Sequence, residues 1–174
     1  MAGVKAMSAG DYHTMVLKQD DSLWATGDNA YGQLGDGSPS DYRRRSFKQA
    51  FQQILTGVKT VAAGRYRTMV VKQDGSLWVT GHDEYGQLGD GSIASRNTFK
   101  QVMNGVKAVS TGGFYTMVVK QDGTLWSTVN NMYGQIGNGR THSRNTFKQI
   151  TPGMCASCTA GFTISADQTK CSGV

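Results

Sequence analysis

The side chains with which this chain of 174 residues can do chemistry are three histidines, several aspartates beside glycines, three cysteines and one arginine triplet. His13, His82 and His142 have no serine and aspartate at a spacing that argues for nucleophilic catalysis, and His82 and His142 read as exposed loop residues. Asp28, Asp36, Asp83 and Asp90 lack the alternating acidic loop, closed by a glutamate, that binds calcium. Turn formation is what short acidic side chains next to glycine ordinarily do. The stretch Gly32-x-x-Gly35-x-Gly37 has the glycine density of a phosphate cradle. A dinucleotide loop, however, orders its glycines Gly-x-Gly-x-x-Gly at the opening of a helix, and a P-loop follows its last glycine with Lys-Ser or Lys-Thr. Neither pattern is present. These residues point to no catalytic constellation, no cofactor and no metal ion, and the chain is expected not to be an enzyme.

The cysteines and the arginines admit sharper readings. Cys155, Cys158 and Cys171 all lie near the end of the chain. As half of a zinc site they supply three thiols and need a fourth ligand, His142 or a group outside the chain. Unpaired thiols in a disordered tail and a disulfide-bonded module are the alternatives. With Gly161 the pair reads Cys-x-x-Cys-x-x-Gly, which resembles the opening of extracellular epidermal-growth-factor-like and receptor-type repeats. That resemblance implies a truncated module over 154–174 with disulfide-bonded cysteines. Arg43, Arg44 and Arg45 form the one dense basic cluster, flanked by Tyr42 and Phe47. They are either a solvated loop or an anchor for phosphate or an acidic protein face, since guanidinium groups engage such oxygens in pairs.

What would position these residues is a repeat. Phe51, Phe99 and Phe147 recur every 48 residues, as do Trp78 and Trp126, while Trp24 precedes Trp78 by 54 because the first copy carries an insertion holding the arginine triplet. Each copy contains four segments of strand character. Gly3, Gly57 and Gly105 open a Gly-Val-Lys strand. Thr14-Met15-Val16-Leu17, Thr68-Met69-Val70-Val71 and Thr116-Met117-Val118-Val119 are apolar runs that require burial on both faces, which predicts a strand next to a central axis. Asp74-Gly75 and Asp122-Gly123 are hairpin turns; Asp20-Asp21 in the first copy predicts a weaker turn or one of another type. Trp24, Trp78 and Trp126 mark the third strand, and Phe51, Phe99 and Phe147 the fourth. Between them lies Tyr31-Gly32-Gln33-Leu34-Gly35-Asp36-Gly37, repeated from Tyr85 to Gly91 and again from Tyr133 to Gly139. Gly32, Gly86, Gly134, Gly35, Gly89 and Gly137 therefore read as backbone positions with positive φ or with no room for a side chain.

Four-stranded units at this period form propeller blades. The predicted fold is all-β: a partial β-propeller of three four-stranded blades in an open array, over repeats of about 3–56, 57–104 and 105–153, followed by the tail. The sequence Gly10-x-x-His13-Thr14, followed by Leu-Trp-x-x-Gly and by Asn-x-x-Gly-Gln-Leu-Gly-x-Gly, resembles the regulator of chromosome condensation repeat, and does so three times over residues 3 to about 150. The resemblance implies a ring of seven blades in complete members. For this chain it implies a non-catalytic scaffold for protein–protein interaction, a fragment or part of a larger multidomain protein. The alternative is a regulator of guanine nucleotide exchange factor type, acting on a small GTPase or chromatin. His13 becomes Arg67 and Tyr115, Asn29 becomes Asp83, and Gly27 and Gly81 become Val129. These positions read as replaceable structural pins, with a distortion expected near Val129.

A net charge of +6, from 18 Lys and Arg against 12 Asp and Glu, suits an acidic surface or nucleic acid as partner. A protein partner is expected, with Arg43, Arg44 and Arg45 as the first contact surface and Tyr31, Tyr85 and Tyr133 as the second. No stretch reaches the about 18 apolar residues of a membrane span, and no secretory signal opens the chain. No compartment is assigned, although the cysteine tail hints at an extracellular multidomain parent. Terminal blades expose faces that a middle blade buries, with Met15 and Met117 as the apolar residues in question, so self-association through open faces, or fraying of the ends, is expected.

Overall fold

The computed structural model describes residues 1–41, 46–129 and 144–150, together with the backbone of 162–164 and 171–173. Strands β1 (Val4–Ala9), β2 (His13–Lys18), β3 (Leu23–Asp28) and β4 (Phe47–Leu55) form the first blade, antiparallel and in chain order. The second blade is β5 (Val58–Ala63), β6 (Arg67–Lys72), β7 (Leu77–Gly81) and β8 (Arg96–Met103), and the third is β9 (Val106–Thr111), β10 (Tyr115–Lys120), β11 (Leu125–Val129) and β12 (Arg144–Gln149). The sheets do not close into a ring. No helix occurs among the described residues, hence none long and apolar enough to cross a membrane. In the tail, β13 (Phe162–Ile164) pairs with β14 (Cys171–Gly173). Cys155 and Cys158 lie outside the described residues, as does the side chain of Cys171.

One carboxylate organises each hairpin between the second and third strands. Asp20, Asp74 and Asp122 accept from the backbone N–H and the hydroxyl of Ser22, Ser76 and Thr124. Those bonds hold the three carboxyls below the usual Asp range. Each hydroxyl in turn accepts from the indole N–H of Trp24, Trp78 or Trp126, and Lys18, Lys72 and Lys120 lie over the indole rings. Asp21 takes φ 61°, matching Gly75 at 78° and Gly123 at 83°, and its N–H bonds Lys18 O as theirs bond Lys72 O and Lys120 O. The first turn is therefore of the same type as the others, so of the two expectations from sequence the structure sets aside a different turn type. Salt bridging to Lys5 and a bond from Gln73, each 2.8 Å, hold Asp21 in this left-handed conformation. The ladder also includes Val129, which pairs with Tyr115 and Arg144 in the register that Gly81 keeps with Arg67 and Arg96.

The blades meet face to face. β5 packs against β1 and β2, and β9 against β5 and β6, so the sheets converge at their first strands. The Val-Lys strand is thus innermost, and the Thr-Met-Val run, expected beside the axis, lies one strand further out. In blade 2 the run is buried on both faces because blades 1 and 3 lie on either side of its sheet, whereas in blade 3 Met117 and Val119 are only half-buried. Met15, Leu17, Leu23 and Leu34 of blade 1 pack on Val58 and Val70 of blade 2, with Trp78 and Phe99 beside them. Met69, Val71, Leu77 and Leu88 repeat this against Val106, Val118 and Phe147 of blade 3. Fully burying one such aliphatic side chain is worth about 1.5–3 kcal/mol, so these two interfaces carry most of the cohesion between blades. Met15 faces blade 2, and only Met117 of the two named methionines belongs to an open face.

Candidate functional site

The glycine-rich loop after β3 reaches across to the following blade. Gly32 O accepts from Thr80 Oγ1 at 2.8 Å and Gln33 O from Thr68 Oγ1 at 2.7 Å. Gly37 N–H donates to Asn97 O at 2.8 Å, Asp36 bridges Thr98, and Leu34 is buried between the blades. The second loop does the same. Gly86 O accepts from Thr128, Gln87 O from Thr116, Gly91 N–H donates to Asn145 O, and Asp90 bridges Thr146. A Cβ on Gly32 would lie 2.4 Å from Arg96 O, and one on Gly35 would lie 2.4 Å from the Phe99 ring, which is why neither position holds a side chain. The loop is a clasp between blades, and its carbonyls and N–H groups are spent on protein partners.

Two departures from the repeat become intelligible at the clasp. Asn29 accepts from Leu34 N–H through Oδ1 and donates to Asp36 Oδ1 through Nδ2. Asp83 keeps the first bond, accepting from Leu88 N–H at 2.8 Å, but has no amide to offer Asp90. Burial, reinforced by the negative charge of Asp90, raises the Asp83 carboxyl to about 7, and its Oδ2 is buried without a donor. His13 bonds Thr68 Oγ1 at 2.9 Å; because that hydroxyl donates to Gln33 O, the proton sits on Nε2. Burial lowers the His13 pKa to about 4, so the ring is neutral. Arg67, in the same column, instead donates to Gly112 O, Gly113 O and Tyr115 O of blade 3 at 2.7–2.8 Å. Burial brings its pKa down to about 10 and leaves it charged. Different chemistries thus pin one blade to the next from one position.

The turns joining first to second strands and the clasp loops emerge at one rim, where they assemble a row of rings. Tyr12 stacks on Tyr66 with centroids 5.5 Å apart. Tyr31 meets Tyr66 at 4.9 Å and His82 at 4.6 Å, and Tyr85 meets Phe114 at 5.6 Å. In each blade pair the clasp tyrosine leans on the turn aromatic of the next blade. The Arg65 guanidinium lies 5.2 Å over Tyr66 and 5.7 Å from Phe114, and it pairs with Asp11. Beside the row is a depression of about 490 Å³ whose walls include Tyr31, His82, Glu84 and the exposed Ile93. His82, expected to be exposed, is partly enclosed: Nδ1 accepts from Gln87 Nε2 at 2.8 Å and Nε2 faces Glu84. Burial lowers its pKa below the ordinary value.

Of the residues singled out from sequence, Tyr31 and Tyr85 stand on this rim, while Trp24, Trp78 and Trp126 occupy equivalent places toward the opposite end. Tyr133, Gly134, Gly137 and Arg43, Arg44 and Arg45 lie outside the described residues. Tyr12, Tyr66, Phe114 and Arg65 were missed. The signal existed, since an aromatic residue stands two places after Gly10, Gly64 and Gly112 in all three copies.

Three four-stranded sheets clasped in sequence, with their loops gathered at one rim, define an open segment of β-propeller. Residues 4–33 and 58–87 match the regulator of chromosome condensation (RCC1) repeat, and the chain carries repeats of that family. It is 37% identical over 92 residues to the human X-linked retinitis pigmentosa GTPase regulator, a match covering 53% of this chain and 9% of that protein. It is 36% identical over 93 residues to the ultraviolet-B receptor UVR8 of Arabidopsis thaliana, covering 53% of this chain and 21% of the receptor. The crystal structure of Prp20p from Saccharomyces cerevisiae superposes with a TM-score of 0.77 at 19% identity, over 86% of this chain and 38% of that one, a likeness of fold. The chain therefore spans well under two thirds of the length of each of these proteins.

Proposed function

We propose that the chain is a non-catalytic propeller scaffold that holds a protein partner against the aromatic rim. The supporting observation is the row Tyr12, Tyr66, Tyr31, Tyr85 and Phe114, crossing three blades with Arg65 set between two of its rings. Tyr12, Tyr85 and Phe114 are exposed, and the clasps hold the row in place from beneath. Pre-ordered tyrosine and arginine side chains are the residues on which interfaces concentrate their binding energy, because they bury much area for few rotatable bonds. The sequence adds Arg43, Arg44 and Arg45 in the insertion between β3 and β4, and an acidic protein face is the complement that such a triplet suits.

The test measures binding of the full chain to a histone octamer, a small GTPase, an acidic peptide and duplex DNA. The first two probes are chosen because Prp20p, which shares the fold, has binding properties to Gsp1p and histones, and because one relative is a GTPase regulator. Tyr66→Ala or Arg65→Ala is expected to weaken binding to a protein probe by at least about tenfold with thermal stability nearly unchanged. Alanine at all three of Arg43, Arg44 and Arg45 is expected to weaken it further at low salt than at high salt. If binding is indifferent to every one of these changes, the rim is not the contact surface. A steep salt dependence for DNA with no protein binding would replace the protein partner with nucleic acid. Accelerated nucleotide release from the small GTPase would favour the exchange-factor reading, which the likeness to a GTPase regulator makes worth testing.

A further inference from the structure

We infer that Arg65 is the seat for one carboxylate of a protein partner, and that Asp11 of this chain holds the seat until a glutamate or aspartate of that partner displaces it. The inference rests on the rim being the contact surface, and it names the group that the rim reads there.

Arg65 is held differently from the other arginines of its blade. Arg67 spends both terminal nitrogens of its guanidinium on carbonyls of blade 3, and Arg96 is paired with Asp90. The Arg65 guanidinium is placed by rings instead, 5.2 Å from the centre of Tyr66 and 5.7 Å from that of Phe114, contacts that leave its N–H groups unspent. Its Nε is buried without a hydrogen-bond acceptor, and among the described residues no group accepts from its terminal nitrogens. The one carboxylate paired with it among those residues is that of Asp11, 3.5 Å from Nε, an ion pair without a hydrogen bond. The fold requires neither side chain. Gly10-Asp11-Tyr12, Gly64-Arg65-Tyr66 and Gly112-Gly113-Phe114 are equivalent turns, so the turn forms with an acid, a base or no side chain at its second place.

The occupant follows from charge and geometry. A guanidinium presents a fork of N–H donors that a carboxylate engages through two parallel bonds. Around this fork stand Tyr12 and Phe114, exposed rings on which apolar neighbours of the incoming carboxylate can rest. Asp11 itself shows that the seat takes a carboxylate. A doubly charged phosphate is disfavoured, because one guanidinium would have to hold it beside the exposed carboxylates of Asp11 and Glu84 on the same rim. The Arg65 and Asp11 side chains are 42% and 53% exposed, so they attract each other as a surface pair does, and displacing Asp11 costs a partner no more than about fivefold in affinity.

Fluorescence anisotropy of the full chain with a labelled peptide of alternating glutamate and tyrosine tests this, against peptides in which glutamine or phosphoserine replaces glutamate. The glutamate peptide is expected to bind more tightly than either. Arg65→Lys keeps the charge but loses the fork, and is expected to weaken that binding at least about fivefold. Asp11→Asn empties the seat and is expected to strengthen it about two- to fivefold, with a smaller gain for Glu84→Gln, which removes the same charge without freeing Arg65. All three side chains are exposed or partly so, and each variant should keep the wild-type circular dichroism. The proposal is overturned by a glutamate peptide that binds neither wild type nor Asp11→Asn, by equal or tighter binding of either comparison peptide, by indifference to Arg65→Lys, or by an Asp11→Asn protein that gains nothing over Glu84→Gln. Binding that falls with Tyr66→Ala but ignores both Arg65→Lys and Asp11→Asn removes the seat and leaves the rim as contact surface. Binding of the histone and GTPase probes that ignores Tyr66→Ala removes the rim, so the two readings fail separately.

Discussion

Gly32→Ala is expected to remove about 4 kcal/mol of stability or more, while Gly57→Ala should remove only about 1 kcal/mol. Both glycines sit at left-handed φ, +80° and +68°, so an added methyl brings the same backbone strain at either place. The surroundings differ. Nothing lies within 4 Å of a Cβ at Gly57, whereas at Gly32 it would stand 2.4 Å from Arg96 O and 2.5 Å from Asn97 Cα. Those are backbone atoms of β8 and cannot swing aside, so the clasp has to lift. Lifting it exposes part of Leu34, worth about 1.5–3 kcal/mol when fully buried, and strains the bonds from Thr80 and Thr68 at about 1 kcal/mol each. In thermal melts the Gly32 variant should lose roughly 10 °C, at about 2–4 °C per kcal/mol for a chain of this size, and the Gly57 variant a few degrees. Gly86→Ala should follow Gly32, since its Cβ would meet Asn145 Cα at 2.5 Å. Equal losses at Gly32 and Gly57 would mean that the clasp does not hold the blades together.

The period was legible because tryptophan, phenylalanine and glycine columns survive in every copy, and with it came four strands per blade and the shared register. The purpose of the glycine loop was not, because its partners Thr68, Thr80 and Asn97 lie 35 to 60 residues further on and read locally as ordinary strand residues. Double burial of the Thr-Met-Val run was equated with nearness to the axis. In the structure the first strand is innermost, and it is largely exposed in β1 and half-exposed in β9, while β5 of the middle blade is mostly half-buried. Composition also misjudged His82, which looks like a loop residue but is held by Gln87 and packed on Tyr31. The rim aromatics were in plain view as a column beside His13; a column of rings gains meaning only once the turns of successive blades are seen to converge.

Asp83 is the position where the sequence shows a loss and the structure a substitute, and Asp83→Asn is expected to stabilise the chain at pH 8 by about 1–3 kcal/mol while changing little near pH 4. At the equivalent place Asn29 donates to Asp36, and an asparagine at 83 could donate to Asp90 in the same way. The wild-type carboxyl can do so only when protonated. Burial holds its folded pKa at about 7, against an ordinary value near 3.8, with Asp90 raising it further and Arg96 partly offsetting the effect. A folded pKa above the unfolded one means that the native state binds the proton more tightly. The contribution of Asp83 is therefore complete below about pH 4 and is lost as pH rises toward and through 7. His13 acts in the opposite sense: with a folded pKa of about 4 against 6.5, it contributes stability above 6.5 that is lost as pH falls toward 4. Comparing Asp83→Asn with wild type at each pH cancels the His13 contribution, which both proteins share. Chemical denaturation from pH 4 to pH 8 should show the two curves together at the acid end and apart at the alkaline end. A gap that is constant with pH would mean that Asp83 does not take up a proton in the folded state, and that Asp90 is satisfied by Arg96 and Lys100 alone.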